Sequence, residues 1–155
     1  MHVLAVRQPW ASWIISGEKS IEVRTMPTNI RDYIAIYATR TKIRKEDTQW
    51  LETLEDRGVL DMDHISPEHL KEYPQGKIIG TVHLHACKKY QCSPEFTEDA
   101  PLHLNKPEWY NSKMWGWELA SPRAINPIDF KFNGSMVWSK IDDKLIEDWS
   151  NGNIR

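Results

Sequence analysis

Gly17-Glu18-Lys19-Ser20-Ile21-Glu22-Val23-Arg24 is the stretch on which the reading of this chain turns. Ahead of it Trp10, Trp13 and Ile14 recur at helical spacing. Pro9 suits the first turn of that helix, where its missing N–H costs nothing, and Gly17 is placed to end it. Beyond Gly17 the pattern switches to alternation. Ile21 and Val23 point one way, and Ser20, Glu22 and Arg24 the other. The stretch therefore joins a helix stop to a strand whose second face carries charge, an uncommon use of a Glu and an Arg beside Ile and Val.

Working outward, the apolar run at 3–6 predicts a short strand, and 33–38 a second, buried one. Residues 42–57 read as a helix with Trp50, Leu51 and Leu54 inward and Gly58 as its stop. A loop and a short helix are expected over 61–73, capped by Ser66 with Pro67 in the first turn. Residues 77–87 form the clearest strand, with Val82, Leu84 and Ala86 alternating with Thr81, His83, His85 and Cys87. The polar segment 92–113 carries Pro94, Pro101 and Pro107 and reads as a long surface excursion. A strand at 115–119, an extended stretch at 122–133, a turn at Asn133-Gly134, a strand within 136–140 and a helix at 142–150 complete the chain. Strands dominate, with two or three helices among them. This is one α+β domain over 1–155, and a closed or nearly closed sheet is the natural way to remove its edges.

Composition narrows the classes. A length of 155 residues suits a single core, and 40% hydrophobic with 27% charged residues is an ordinary globular balance, so disorder is excluded. No apolar run approaches the roughly 20 residues of a membrane span, and no basic start followed by an apolar region suggests a secretory signal. Cys87 and Cys92 are too few for a disulfide framework. A cytoplasmic protein with reduced thiols and no membrane partner is expected. The net charge of −2 lacks the basic footprint of bulk nucleic-acid binding. Its distribution is uneven, however: residues 1–45 hold eight Lys/Arg against three acids, and the remainder 12 against 19. The N-terminal part can meet phosphate while the rest carries the acidic excess. Eight tryptophans are several times ordinary usage, which suits both a ring-rich core and a pocket that stacks on a planar ligand.

Candidate chemistry centres on the opening stretch. Burial lowers a lysine's pKa, so Lys19 in a dry cleft could act as a base, whereas Glu22 beside it favours the charged form and a contact to phosphate or carbonyl. Glu22 can accept from the exocyclic amine of a base or activate a water. Arg7 and Arg24 offer forked donors for phosphate, or pair with nearby acids. Trp10 is either core or a stacking wall. Trp115 and Trp117 share one strand face, Gly116 leaves the other open, and one ring could border a cleft. His83, His85 and Cys87 share a face near Cys92, but not at the spacing of a zinc motif, so no metal is expected. There is no Gly-rich phosphate loop and no Ser or Cys nucleophile motif, and no cofactor is expected.

The pattern Gly17-x-Lys19-x-x-Glu22-x-Arg24 resembles the signature of the ASCH (activating-signal-cointegrator homology) domain. Gln8-Pro9-Trp10-Ala11 and the run 28–36 fit the same family. So do Trp115-Gly116-Trp117-Glu118-Leu119, Pro122-Arg123, Asn133-Gly134 and Trp138. The likeness covers about 3–140, without motif matches in 40–75 and 90–112. It implies a β-barrel similar to the PUA domain, flanked by helices, with a cleft beside the barrel that takes nucleic acid or a modified base. Some small relatives are amidohydrolases of acylated cytidine that use a Lys, a Thr and a Glu. Lys19 matches the Lys, Glu22 stands where those enzymes carry the Thr, and the third position has no motif match.

The leading expectation is a module binding RNA, another nucleic acid or a nucleotide through Arg7, Trp10, Lys19, Glu22, Arg24, Trp115 and Trp117. A first alternative is an amidohydrolase of an N-acylated cytidine or related nucleoside, with Lys19 and Glu22 catalytic. A second is a protein-interaction module in a transcription or translation complex, with the protein partners unknown.

Overall fold

The computed structural model describes residues 1–58, 70, 72–134 and 137–150. Along the chain run β1 (His2–Val6), α1 (Trp10–Ser16), β2 (Ile21–Arg24), β3 (Asp32–Ala38), α2 (Lys45–Asp56) and β4 (Lys77–Lys89). Then follow α3 (Ser93–Glu98), α4 (Ala100–His103), a 3-10 turn at Pro107–Trp109, β5 (Trp115–Asp129), β6 (Trp138–Lys140) and α5 (Asp143–Ser150). The short helix expected within 61–73 falls almost wholly outside the described residues. Among those residues no helix is long and apolar enough to cross a membrane.

Six strands form one sheet in the order β2-β5-β4-β3-β1-β6. β1 runs parallel to β3, and every other neighbouring pair is antiparallel. The closed barrel expected from the sequence is not what the backbone ladder makes, because β2 and β6 remain its two ends. Side chains span the gap instead. Arg24 Nη2 on β2 donates to the Ala5 carbonyl on β1 at 2.8 Å. Trp117 on β5 stacks against Trp138 on β6 with centroids 5.7 Å apart and planes 9° from parallel. The sheet is thus curled, and its twist brings the first strand towards β1 without a ladder.

α1 lies inside the curl, against β3, β4 and β5. Its buried Trp10, Ala11, Trp13 and Ile14 join Leu4, Val6, Ile34, Ile36 and Leu84 in the main core. A second core on the other face gathers Val3, Ala35, Tyr37, Ile78, Ile125 and Ile146 of α5. β1 and β3 are therefore covered on both faces, which is why their sequences read as continuous apolar runs.

Gln8 receives the Ser12 N–H on its Oε1 at 3.0 Å and so satisfies an open donor of α1. Gly17 ends the helix at φ +89°, and the next turn is pinned by Lys19 N–H donating to the Trp13 carbonyl at 3.0 Å. A Cβ at Gly17 would meet only Pro122 Cγ at 3.8 Å, so the cost of a side chain there is conformational rather than steric. Gly17→Ala is expected to destabilise by about 1–2 kcal/mol, the penalty of a left-handed L-residue. At roughly 2–4 °C per kcal/mol for a chain of this size, the melting temperature should drop by several degrees. An unchanged melting curve would show that the helix stop does not need the glycine.

Two expectations are corrected. The segment 92–113 is not a surface excursion: Phe96 and His103 are fully buried and Leu104 nearly so. Its prolines occupy the first turns of α3, α4 and the 3-10 turn, so they start helices rather than forbid them. In β4 the alternation breaks at a register shift between Leu84 and Ala86. The extra residue moves Cys87 to the core side with Leu84, away from the face of His83. β5 also fuses the predicted strand at 115–119 with the extended stretch after it.

Candidate functional site

The helix stop places Lys19 under the main core, and the strand after it turns Glu22 and Arg24 into the curl. Lys19 is 2% exposed and Glu22 8%. Lys19 Nζ donates to the His103 carbonyl at 2.6 Å, stands 3.7 Å from Glu22 Oε1 and lies 5.2 Å from the Trp10 ring centroid. Arg24 donates from Nε to Glu22 Oε2 at 2.9 Å, and its Nη2 stands 2.8 Å from the same oxygen. Its guanidinium lies 5.7 Å from the Trp117 ring. Glu22 is thus a carboxylate held between two cations, with Oε1 the less committed oxygen. Burial pushes the Lys19 amine down to about 8, against the opposing pull of Glu22 and with Arg24 adding to the depression. The ammonium form still prevails at pH 7.

His103, unremarked in the sequence, holds the other end of this arrangement. Its Nδ1 accepts the Asn105 N–H at 2.9 Å. The network therefore assigns the proton to Nε2, which donates to the Phe96 carbonyl at 2.7 Å. Burial lowers its pKa to about 4, partly offset by that bond to Phe96. Tyr90 ties the same segment down through its hydroxyl to Asp99 at 2.8 Å, and Lys88 reaches Asp99 at 2.6 Å.

A cleft of about 410 Å³ opens at the end of the curl. Of the residues singled out in the sequence, Arg7, Trp10, Glu22 and Arg24 line it. Lys19 does not line it but lies behind Glu22. Trp10 is 6% exposed. It is packed edge-on against Trp13 and Trp109 with Lys19 over its ring, so it is core at the cleft's edge rather than an open stacking wall. Trp117 is fully buried beneath Arg24, with Nε1 donating to the Met26 carbonyl at 3.0 Å. Trp115 is not among the cleft's lining either, and Lys89 sits over its ring. The face that Gly116 was expected to leave open is filled: a Cβ there would stand 2.9 Å from Tyr90 Oη and 3.1 Å from Ile21 Cγ2.

The cleft also recruits residues that the sequence did not single out: Thr39, Thr41, Arg44, Asn105 and Trp109. Arg44 belongs to the basic run noticed in residues 1–45. Asn105 and Trp109 come from the 92–113 segment, whose prolines predict a surface excursion, and no periodic signal marks them. His83 meets Tyr33 at 4.8 Å and His85 at 6.2 Å between ring centroids. Among the described residues no three His, Cys, Asp or Glu side chains are placed to share a metal ion.

A curled α+β sheet around a buried helix, with a charged cleft at its open end, defines the class. The chain belongs to the ASCH domain family, whose family model matches residues 4–129. The fold is similar to the crystal structure of ASCH from Zymomonas mobilis, with a TM-score of 0.62 at 16% identity over 94% of this chain and 90% of that one. A mutant of the same Zymomonas mobilis protein matches with a TM-score of 0.62 at 17% identity over 94% of each chain. Identities this low speak for the fold alone. No curated protein matches this chain.

Proposed function

We propose that the cleft binds single-stranded RNA or a modified nucleobase. The observation that carries this reading is the cleft itself. It holds a fixed carboxylate, Glu22, beside half-buried Trp109 and is rimmed by Arg7, Arg24 and Arg44. A volume of about 410 Å³ suits one nucleotide and excludes a duplex. Glu22 Oε1 can accept from a base N–H, and a ring stacked on a base contributes about 1–3 kcal/mol. The family association with RNA binding and the basic balance of residues 1–45 support the same reading. Lys19 and Arg24 hold Glu22 as an acceptor, a role that suits recognition better than proton shuttling.

The test is a fluorescence-anisotropy titration of the full chain with a short single-stranded RNA and its duplex at 50 and 200 mM salt. The single strand should bind at least tenfold tighter than the duplex and weaken as salt rises. Thr41→Trp, which puts a ring into the cleft mouth without touching the buried ion pairs, should weaken it at least tenfold. Binding that is indifferent to Thr41→Trp would remove the cleft from the interaction.

A further inference from the structure

One carboxylate at the cleft is out of any ligand's reach. Asp47, in the first turn of α2, is 0% exposed. Arg44 forks onto it, Nε to Oδ2 at 3.0 Å and Nη2 to Oδ1 at 2.9 Å. The remaining Arg44 nitrogen, Nη1, stands 2.8 Å from Glu46. Arg44 is therefore committed at all three nitrogens. Arg7 differs. Its side chain makes no hydrogen bond among the described residues, its nearest acid is Asp47 Oδ2 at 3.7 Å, and that side chain is 36% exposed. It follows the last residue of β1, and its carbonyl accepts the Ala11 N–H of α1 at 3.0 Å, so its backbone is tied between strand and helix.

A buried anion behind a guanidinium fixes where that guanidinium sits while leaving its outer donors free. Planar forked donors of this kind match phosphate oxygens. Thr39 and Thr41 add hydroxyls to the same cleft. Among the cleft's lining residues Arg7, Arg24 and Arg44 stand against Glu22, and with the partners behind them, Lys19, Glu46 and Asp47, counted as well, four cations still outnumber three acids.

We propose that Arg7, oriented by Asp47 and backed by Arg44, is a phosphate subsite, so that the cleft takes a phosphorylated nucleotide rather than a free base or nucleoside. The phosphate anchors on Arg7 while the unpaired base meets Glu22 and Trp109. Asp47 acts as a positioning residue, since it reaches the ligand only through the arginines. This inference rests on the reading of the cleft as a nucleic-acid site.

The experiment is calorimetric titration of the full chain with the four ribonucleosides, their 5′- and 3′-monophosphates, inorganic phosphate and a single-stranded RNA hexamer with unphosphorylated ends. At least one monophosphate should bind tenfold or more tighter than its nucleoside. Arg7→Gln should bring that monophosphate down to the nucleoside's affinity, with a melting temperature close to the parent's. For the hexamer, the slope of log affinity against log salt should flatten by about 0.7, one phosphate contact on a single strand. Asp47→Asn should weaken the monophosphate several-fold and the nucleoside hardly at all, a split that a purely structural role would not produce. Given that tenfold preference over the nucleoside, a hexamer tighter than every monophosphate would assign the subsite to an internal phosphate, and the reverse to a terminal one. Equal affinity for nucleoside and monophosphate, with the hexamer still bound, overturns the phosphate subsite and leaves the cleft reading standing. No binding of any probe overturns the phosphate subsite together with the RNA reading of the cleft.

Discussion

Glu22→Gln is expected to cost about 3 kcal/mol of folding stability, because it removes the carboxylate between Lys19 and Arg24 while keeping the side chain's size. Breaking a buried ion pair on one side typically costs about 3–5 kcal/mol, since the remaining charge stays desolvated. The low end applies here. Lys19 already sits at about 8 with Glu22 present, and without it can shed its proton near neutrality, which caps the penalty. The Arg24 side chain is 21% exposed and keeps its bond to the Ala5 carbonyl. Denaturant unfolding should show a lower midpoint with an unchanged slope. The double variant Glu22→Gln/Lys19→Met should recover part of the loss, because it removes the orphaned ammonium, and the cycle measures the coupling directly. A midpoint within about 0.5 kcal/mol of the parent, the scatter of an ordinary surface change, would mean that the triad is solvated and that Glu22 is not the held acceptor described above.

The segment 17–24 was legible because its information is local. A glycine at a helix end, a change of period and a charged strand face each follow from neighbours within a few residues, and Glu22 and Arg24 do turn into the curl. Other features depend on contacts distant in sequence. Arg7 meets Asp47 across 40 residues, and no pattern along the chain announces the pair. Lys19 finds its acceptor at His103, in a segment whose prolines suggested a loop but which in fact start short helices. The register shift in β4 turns Cys87 to the core, which strict alternation cannot foresee. Whether the sheet closes is also a property of its two ends, β2 and β6: Arg24 of β2 reaches the Ala5 carbonyl on β1, and Trp117 of β5 stacks on Trp138 of β6, where a ladder was expected. The tryptophan excess pointed two ways, and most of it belongs to the core.

The buried bases make stability rise with pH in two separate windows, each worth about 3 kcal/mol. His103 titrates near 6.5 unfolded and about 4 folded. Between those values the unfolded chain binds a proton that the folded chain excludes, so stability increases with pH across the window and is lost as pH falls through it. Lys19 behaves alike between about 8 folded and 10.5 unfolded. Its contribution is complete only above the upper value, and at pH 7 the fold carries the full cost of a buried ammonium. At about 1.36 kcal/mol per pH unit of separation, each window comes to about 3 kcal/mol. Other groups bound these windows, Asp99 and Tyr90 among them. Asp99, held low by Lys88 and Tyr90 despite its partial burial, adds a further loss only below the carboxylate range. Tyr90, its phenol raised by burial and by the hydrogen bond to Asp99, opposes Lys19 above pH 10, where the unfolded phenol ionises first. Stability should therefore climb from pH 4 to 6.5, level off, climb again from 8 and turn over near 10. Denaturant midpoints at half-unit pH steps check the profile. Lys19→Met should flatten the upper rise and leave the lower one, and His103→Gln should do the reverse. A parent profile that is flat from pH 8 to 10 would place Lys19 in water rather than buried behind Glu22.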